Sequence, residues 1–234
     1  MAGVTVADSA QLANRIALVT GAANGAGRAV AQALANAGAN VIAVDGSRRG
    51  EKRPRGNYRT VAADVTDETS VAALVRRCLD DFGRIDILVN TTGAVRPAPL
   101  EKITEAAWER ALRVNLVSAF LCSKAVVPSM LERRRGRIIN LTASEAFTGA
   151  KLGAHYAASA GGILGFSKSL ALELAPHQIT VNTICPDPHT VPRKKIEPTA
   201  FVGPALFLAG DEAAYVTGQT LFVDRNSIYG LDRR

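Results

Sequence analysis

Three glycines follow a short apolar run near the start of the chain, in residues 20–27 with the sequence TGAANGAG. Glycine allows a tight turn and lets backbone N–H groups approach a phosphate, and a helix N-terminus behind such a turn attracts the same anion. A purely structural turn uses the same residues, so the spacing alone is weak evidence. Asp45 ends the next apolar run, where a carboxylate accepts hydrogen bonds from an adenosine ribose. Together these features predict a dinucleotide site.

The elements that must position these residues alternate along the chain. Short β-branched and apolar runs predict buried strands at residues 15–20, 40–45, 58–62, 85–90, 137–142, 179–184 and 220–223. Helical patterns lie between them, at residues 25–37, 67–82, 105–131, 154–175 and 199–209. Such alternation is typical of right-handed crossovers and a parallel sheet covered on both faces. The pattern predicts a Rossmann-type, doubly wound α/β fold with a single domain over residues 1–234.

Composition excludes several classes of protein. Of 234 residues, 47% are hydrophobic and 21% are charged, which excludes a disordered chain or a fibre. The apolar runs are shorter than the ~18 residues that span a bilayer, and residues 1–14 do not resemble a signal peptide. We therefore expect no membrane span and a cytoplasmic location. Cys78, Cys122 and Cys185 have no CxxC spacing, so neither a disulfide framework nor a metal site is expected.

The net charge of +7 raises the question of a polyanionic partner. The basic residues form three clusters: Arg48, Arg49, Lys52, Arg53, Arg55 and Arg59; Arg133, Arg134, Arg135 and Arg137; and Arg193, Lys194 and Lys195. Only Tyr58 interleaves any of them, so stacking on bases has little support. We expect a solvated basic surface and no nucleic-acid partner.

Further motifs, in order, resemble those of the short-chain dehydrogenase/reductase family, and particularly its β-ketoacyl reductase-like members. They are TGAANGAG, Asp64-Val65, Asn90-Thr91-Thr92-Gly93 in place of the usual NNAG, Asn115, Tyr156 and Val216-Thr217-Gly218-Gln219. The resemblance covers nearly the whole chain. It implies that the cofactor is bound by Gly21, Asn24, Gly25, Ala26, Gly27, Asp45, Asp64, Val65, Asn90 and Pro186.

The choice of cofactor depends on charge near the end of the second strand. Asp45 would repel the 2′-phosphate of NADP, whereas Arg48 and Arg49 in the following loop could accept it. The carboxylate at the strand end is nearer the ribose than arginines in a loop. NAD is therefore the predicted cofactor, and NADP remains the alternative.

The resemblance also implies a catalytic set of Ser, Tyr and Lys, with an Asn that holds a water in a proton relay. Tyr156 and Asn115 match two of these positions, but the Ser position is Ala143 and the Lys position is Ala160. An ammonium beside the tyrosine favours the phenolate that proton abstraction needs near neutral pH. The catalytic set is therefore predicted to be incomplete.

Other residues could compensate for these losses. Lys168 lies twelve residues beyond Tyr156 on the same predicted helix, about 18 Å at ~1.5 Å per residue, which is too far. The reach of Lys151, in the preceding loop, is left open. Thr142 or Ser144 could supply a hydroxyl if the loop register shifts.

Three departures from the family pattern lie nearer the C-terminus. Pro186-Asp187 replaces the usual Pro-Gly beside the nicotinamide, and Asp224-Arg225-Asn226 replaces Asp-Gly-Gly. Only ten residues separate Pro186 from Glu197, where relatives carry a helical lid over the substrate. A shortened lid is predicted, with poor exclusion of water.

Three functions remain open. The chain could be a catalytically impaired, dinucleotide-binding subunit or partner of an active relative, in a homo- or hetero-oligomer. It could instead be an atypical keto/hydroxy oxidoreductase that uses Tyr156 or a group of its substrate to move the proton. A third possibility is a non-redox, cyclase-type enzyme in which Asp187 supplies a charge. Tyr156 is as well explained by helix packing as by catalysis, and the small-molecule substrate is left open.

Overall fold

Seven strands alternate with helices in the computed structural model, which describes residues 11–46, 56–91, 93, 96–188 and 196–224. The strands are β1 (Ile16–Thr20), β2 (Asn40–Asp45), β3 (Tyr58–Ala62), β4 (Ile87–Asn90), β5 (Gly136–Leu141), β6 (Ile179–Pro186) and β7 (Thr220–Val223). They form one sheet in the order β3-β2-β1-β4-β5-β6-β7, and every neighbouring pair is parallel. The predicted doubly wound α/β fold is confirmed.

Helices cover both faces of this sheet. They are α1 (Gly25–Asn36), α2 (Glu68–Phe82), α3 (Glu105–Leu112), α4 (Ser118–Arg133), α5 (Glu145–Thr148), α6 (Ala154–Leu174) and α7 (Val202–Ala209). On one face Leu34 of α1 and Leu208 of α7 belong to a buried cluster with β1 and β2. On the other face α2, α4 and α6 contribute Val75, Val126 and Leu174 to a second cluster. Strand residues alternate between these two cores, because successive side chains point to opposite faces.

The helices that follow β1 and β3 differ in how their N-termini are capped. At α2 the side chain of Asp67 accepts a hydrogen bond from the backbone N–H of Ser70 at 2.7 Å, which satisfies an otherwise unpaired donor. At α1 the corresponding residue, Asn24, makes no side-chain capping bond. The first N–H groups of α1 therefore have no side-chain cap from Asn24.

The predicted helix at residues 105–131 is interrupted in the structure. It consists of α3, a π-helical turn at Arg113–Val117, and α4. A π turn inserts an extra residue and rotates the side chains that follow it, and such turns are common at functional sites. The apolar periodicity runs through the turn, so the sequence pattern does not reveal the break. The predicted helix at 199–209 likewise starts as a 3₁₀ turn at Pro198–Phe201 before α7.

The helical segment Glu105–Arg133 is long and apolar enough to cross a membrane by length and composition, with a mean hydropathy of 1.5 in its best window. Cys122, Val126 and Met130 of this segment are fully buried against the sheet, so its apolar face packs in the protein core. A core helix passes the same length and hydropathy test, which makes the segment weak evidence for a span.

Only part of the basic cluster at residues 133–137 forms the solvated surface predicted from the sequence: Arg134 and Arg135 are exposed, whereas Arg133 is half-buried and Arg137 is buried. Arg137 is only 7% exposed and lies 3.5 Å from a carboxylate oxygen of Asp211. Arg133 pairs with the buried Asp86 at 2.7 Å. The prediction was wrong for Arg133 because the buried carboxylate of Asp86 requires a cationic partner, and for Arg137 because it is a residue of β5 itself. The cluster near residue 50, apart from Arg59, and the cluster at 193–195 lie outside the described residues.

Candidate functional site

The predicted site residues lie at the carboxyl edge of the sheet. Thr20, Asp45, Asn90 and Pro186 are the last residues of β1, β2, β4 and β6. In a parallel sheet these ends share one edge, and ligands bind in the crevice outside it. The glycine-rich turn joins this edge, since the backbone N–H of Ala22 donates to Val44 of β2 at 3.1 Å.

The glycine-rich turn has the form that a pyrophosphate requires. Gly21 and Gly25 have φ angles of +62° and +54°, a region that L side chains rarely adopt. A Cβ atom on Gly25 would meet nothing within 4 Å, so the space beside it is open. Together with the uncapped N-terminus of α1, this space fits a dinucleotide phosphate. Gly21, Asn24, Gly25, Ala26 and Gly27 are the residues that would hold it.

Thr91 closes the underside of the same turn. Its hydroxyl donates a short hydrogen bond to the carbonyl of Thr20. A Cβ atom on Gly27 would collide with the Thr91 hydroxyl and with the carbonyl oxygen of Gly21, so the third glycine is required for close packing of helix on strand. Sequence reasoning assigned no role to Thr91. Its signal was the replacement of the family's second Asn by a β-branched hydroxyl residue.

The predicted adenosine contacts lie at the ends of β2 and just after β3. Asp45 is half-buried, and its carbonyl accepts a hydrogen bond from Ala63 N–H at 3.1 Å. The Asp64 carboxylate accepts bonds from the hydroxyl and the backbone N–H of Thr66, at 2.7 and 2.8 Å. These bonds lower the pKa of Asp64 and hold the loop in place. Val65 is buried at this corner, so both residues stay close to Asp45 at the sheet edge.

Asn90 occupies a structural position at the centre of the sheet. Its amide Nδ2 donates to Asn140 Oδ1 at 2.8 Å, and Asn140 Nδ2 donates to Ser167 Oγ at 2.8 Å. This chain of buried amides joins β4 to β5 and to α6. A direct contact between Asn90 and the cofactor stays a prediction, and the neighbouring residues 92, 94 and 95 lie outside the described chain.

A cavity of about 220 Å³ lies beside the glycine-rich turn. Its lining residues come from the turn, the ends of the strands, the π turn and α6: Ala26, Thr91, Gly93, Asn115, Leu141, Thr142, Ala143, Tyr156, Ser159, Ala160, Ile163 and Phe201. The structure therefore brings together Tyr156, Asn115 and the two alanines that stand at the predicted Ser and Lys positions.

Asn115 reaches the cavity from the π turn. Its Nδ2 donates to the hydroxyl of Ser159 on α6 at 2.9 Å. The turn packs so closely on α6 that a Cβ atom on Gly162 would lie 2.6 Å from Leu116 Cδ2. Glycine at 162 thus permits the approach that puts Asn115 in the site. Ser159 was not among the predicted residues, although it lies three residues after Tyr156 and so one helical turn away.

The hydroxyl groups that could replace the missing serine are engaged within the protein. Thr142 Oγ1 donates to the carbonyl of Ala160 at 3.0 Å, and Ser159 Oγ donates to the carbonyl of Tyr156 at 2.8 Å. Ser144 Oγ donates to Glu145 Oε2 at 3.2 Å. Each hydroxyl has one proton to donate, so none of these groups offers one to a substrate carbonyl in this arrangement.

Electrostatics around Tyr156 oppose its ionisation. Burial raises the pKa of the Tyr156 phenol, and the nearby groups of Glu145 and Cys185 raise it further. Burial, with Glu145 and Asp187, also raises the pKa of the Cys185 thiol to about 12. Sequence reasoning missed Glu145, whose negative charge is close enough to the phenol to raise its pKa. The phenol therefore stays protonated at neutral pH.

Neither candidate lysine reaches the cavity. Lys151 and Lys168 are both exposed, and neither lines it. No positively charged side chain is found among the described residues that form its wall. The ammonium that would favour the tyrosinate is thus missing from the part of the chain that the structure describes.

The remaining wall of the cavity is formed by Phe201, which comes after residues 189–195 in the chain. β6 ends at Pro186, and the backbone N–H of Asp187 donates to Val223 at 2.9 Å. Residues 189–195, on which the prediction of a shortened lid depends, lie outside the described residues, as do Arg48 and Arg49. Phe201 of the following 3₁₀ turn is buried against α1 and gives the cavity an aromatic wall that was not predicted.

Comparison with known proteins decides the family. The family model described as short chain dehydrogenase matches residues 15–197, well over half of the chain. This chain belongs to the short-chain dehydrogenase family. Membership supports a nicotinamide dinucleotide as the cofactor, in agreement with the open glycine-rich turn. It also confirms the family that the motifs in the sequence resemble.

Individual relatives in the short-chain dehydrogenase family cover almost the whole chain. The 3-oxoacyl-(acyl-carrier-protein) reductase FabG of Vibrio cholerae is 37% identical in an alignment 236 positions long, which covers 91% of this chain and 97% of the relative. D-threitol dehydrogenase of Mycolicibacterium smegmatis is 38% identical in an alignment 241 positions long, which covers 92% of this chain and 93% of the relative. A crystal structure from Burkholderia xenovorans, assigned to the same family, matches with a TM-score of 0.83 at 32% identity, covering 92% and 97%.

Proposed function

We propose that this chain is a dinucleotide-binding short-chain dehydrogenase whose own acid–base chemistry is impaired, and that it serves as a subunit or partner of an active relative. One observation carries the proposal: the Tyr156 phenol shares its cavity with Ala143 and Ala160, and no described side chain lining that cavity is cationic. The relatives' names describe a 3-oxoacyl reductase and a sugar-alcohol dehydrogenase. Keto and hydroxyl compounds are accordingly the substrate class to test.

The cofactor half of the site supports binding. The open space beside Gly25 and the free N-terminus of α1 favour a pyrophosphate, and Asp45 at the end of β2 favours a ribose with an unmodified 2′-hydroxyl. We therefore propose NAD(H) rather than NADP(H). A bound nicotinamide supplies or accepts a hydride at the substrate carbon.

The chain's own residues support proton transfer poorly. With a raised pKa, Tyr156 cannot act as a base near neutral pH, so it does not assist oxidation of an alcohol. Ala143 offers no hydrogen bond to a carbonyl oxygen, and the neighbouring hydroxyls of Thr142 and Ser159 donate to α6. Removing one such donor commonly slows a reaction by about 10²–10³-fold. The losses of donor and base together predict turnover far below that of a complete site.

A second candidate function is slow reduction of a keto substrate. The Tyr156 hydroxyl has no hydrogen-bond partner within the described ranges and lines the cavity, so its proton is available to a substrate oxygen. An alkoxide is much more basic than a phenolate, so even a phenol of raised pKa can protonate one. This observation favours reduction over oxidation. In such a reaction Asn115 and Ser159 would act as positioning residues, because their hydrogen bond joins the π turn to α6.

The proposed oligomer has a candidate surface on α4 and α6. Phe120 and Phe166 form an edge-to-face pair with ring centroids 6.3 Å apart, and Phe120 is half-exposed. Leu172, further along α6, is 81% exposed. Exposed apolar side chains on neighbouring helices are typical of subunit interfaces. We include a homo- or hetero-oligomer and a cytoplasmic location in the proposal.

Nucleotide titration combined with a turnover assay tests the function. Calorimetry with NADH and NADPH measures binding, and the same protein is then assayed against keto and hydroxyl compounds in both directions. The proposal expects NADH binding with turnover below about 1 s⁻¹, the low end of the ordinary range. Turnover in the ordinary range with an untagged, homogeneous protein contradicts the impaired role. Failure to bind either nucleotide contradicts the dinucleotide site.

A further inference from the structure

Four arginines line a second cavity, at the edge of the sheet opposite the glycine-rich turn. The cavity has a volume of about 360 Å³ and opens to solvent. Its walls are the segments that precede β1, β4 and β5, and its lining residues are Ala13, Asn14, Arg15, Arg84, Asp86, Arg133 and Arg135. These three strands are neighbours in the sheet, so their amino ends bring the arginines together.

The charges at this edge do not balance. Arg84 and Arg133 pair with Asp86 at 3.1 and 2.7 Å. Arg15, Arg135 and the buried Arg137 share a single carboxylate, Asp211. Among the described residues, five guanidinium groups thus share two carboxylates, a surplus of three positive charges. Four of the five arginines line the cavity, and Arg137 does not.

The pKa of Arg137 responds to the neighbouring arginines. Burial lowers the pKa of Arg137, and although Asp211 opposes the change, the nearby charges of Arg135 and Arg15 lower the pKa further. The neighbouring Glu212 forms no ion pair with these arginines in the described part of the chain, and its carboxylate accepts a hydrogen bond from Gln11. An anion in the cavity would relieve the repulsion.

Two of the arginines that line the cavity have hydrogen-bond donors that the described part of the protein does not use. Arg15 and Arg135 each use only Nη2, on Asp211, so within the described residues their Nε and Nη1 groups have no protein partner. The Arg15 side chain is 18% exposed, and that of Arg135 is 47% exposed. Guanidinium forks match the planar pairs of oxygens in phosphate and carboxylate groups, and they bind them with two parallel hydrogen bonds.

We propose that this cavity is a binding site for a small anion of the phosphate class that carries at least two negative charges, such as a pyrophosphate or a phosphorylated metabolite. The volume is that of a small-molecule site. The donors lie on one concave surface, and no aromatic side chain is among its described lining residues, so a stacked nucleic-acid strand is a poorer match. The site is independent of the proposed dinucleotide chemistry because it lies at the other edge of the sheet.

Isothermal titration of the full chain with inorganic pyrophosphate, at constant ionic strength, tests this site. The variants are Arg135→Gln and Arg84→Gln, which change two arginines that pair with different carboxylates. Arg76→Gln is the matched control, because Arg76 is exposed on α2 and lies outside the cavity lining. Loss of a hydrogen bond to a charged group corresponds to about a tenfold or larger rise in Kd. We expect that rise in both cavity variants and no more than about a twofold rise in the control.

The glycine-rich turn is the competing site for pyrophosphate, so a fourth variant separates the two. Gly25→Asp places a carboxylate beside the open space at α1 and removes binding at the turn, and we expect the pyrophosphate binding that depends on Arg84 and Arg135 to remain. Thermal melting of each variant establishes that it is folded before titration. Three results overturn the proposal: no binding by the unmodified chain, equal weakening in Arg76→Gln, or loss of binding in Gly25→Asp with the arginine variants unaffected.

Discussion

At the amino edge of the sheet, arginines stand beside the starts of β1, β4 and β5, whereas the same three strands end at Thr20, Asn90 and Leu141 beside a cavity without a cation among its described lining. The amino edge holds more guanidinium groups than carboxylates. The carboxyl edge brings Glu145 near the one phenol that its family would place beside a lysine. The two edges therefore differ in the sign of the charge around their polar groups.

The amino edge carries the ion pairs that hold the strands together, whereas the carboxyl edge carries the residues that would take part in catalysis. At the amino edge, Asp86 accepts the backbone N–H of Ile16 at 2.8 Å and pairs with two arginines, so it fastens β1 to β4 and α4. At the carboxyl edge, the alanines at 143 and 160 leave no buried charge without a partner. Catalytic side chains can therefore be lost there while the fold keeps its stability.

Removal of the Asp86 charge should have the largest effect. Asp86→Asn leaves Arg133 and Arg84 without their buried carboxylate, and breaking one partner of such a pair costs about 3–5 kcal/mol. We expect a loss of free energy of unfolding in that range, measured by urea denaturation. Asp80→Asn, a change of the same type at an exposed position of α2, should cost less than about 0.5 kcal/mol. Equal effects of the two changes would remove the proposed distinction between the edges.

The same carboxylate predicts a pH dependence of stability. Burial alone would raise the pKa of Asp86, but the hydrogen bonds from Ile16, Arg133 and Arg84 outweigh it and lower the pKa. A lowered pKa in the folded state contributes stability above the unfolded pKa of about 3.9 and loses it as the pH falls further. Urea midpoints measured from pH 7 to pH 3 should fall more steeply for the unmodified chain than for Asp86→Asn. Parallel curves would show that Asp86 is not the group that titrates.

Asp45 should have an intermediate effect, on the choice of nucleotide. Its carboxylate opposes a 2′-phosphate, so we expect NADH to bind at least about tenfold more tightly than NADPH, or about 1.4 kcal/mol. Asp45→Asn keeps the size of the side chain and should bring the two dissociation constants within about threefold. Calorimetry on both proteins measures the ratio. Tighter binding of NADPH by the unmodified chain contradicts this assignment and points to the arginines that follow Asp45.

Replacement of Tyr156 should have the smallest effect. Without an ammonium to ionise it, the phenol contributes little to the oxidation of an alcohol, so Tyr156→Phe should lower kcat/KM in that direction less than about tenfold. In an intact acid–base site the corresponding loss is about 10²–10⁴-fold. Initial rates with NAD⁺ and a hydroxyl substrate compare the two proteins, with Tyr215→Phe as the control at a fully exposed tyrosine. A thousandfold loss would show that another group has replaced the lysine.

The sequence predicted the sheet well because each strand carries a local signal. The patterns at residues 40–45, 58–62 and 220–223 match β2, β3 and β7 to the residue, since β-branched runs end there at polar or turn residues. The π turn at Arg113–Val117 could not be predicted in this way, because the apolar repeat continues through it. Its position depends on the contact between Leu116 and Gly162 of α6, which is a tertiary interaction.

The residues of the candidate site were likewise predictable only where the sequence carries a local signal. Motif order led to Tyr156 and to the missing serine and lysine at the cavity, because spacing along a helix and after a strand fixes these positions. Glu145 was not predicted, since it belongs to the one-turn helix α5, whose side-chain directions depend on packing against α6. Nor was the cluster of arginines at the amino edge, because the strand order that unites Arg15, Arg84 and Arg135 is not visible in the sequence.

The pKa of Tyr156 is the most direct test of the impaired site. NMR titration of ¹³Cζ-labelled tyrosine, with Tyr156→Phe to assign the signal among the four tyrosines, measures it with and without NAD⁺. Ala160→Lys is the matched variant, since it restores the ammonium one helical turn away and should lower the pKa by about 1–3 units. We expect the unmodified chain to titrate above the ordinary value of about 10 in both conditions. A pKa near neutrality in the unmodified chain would show that a cation reaches the phenol and would contradict the account.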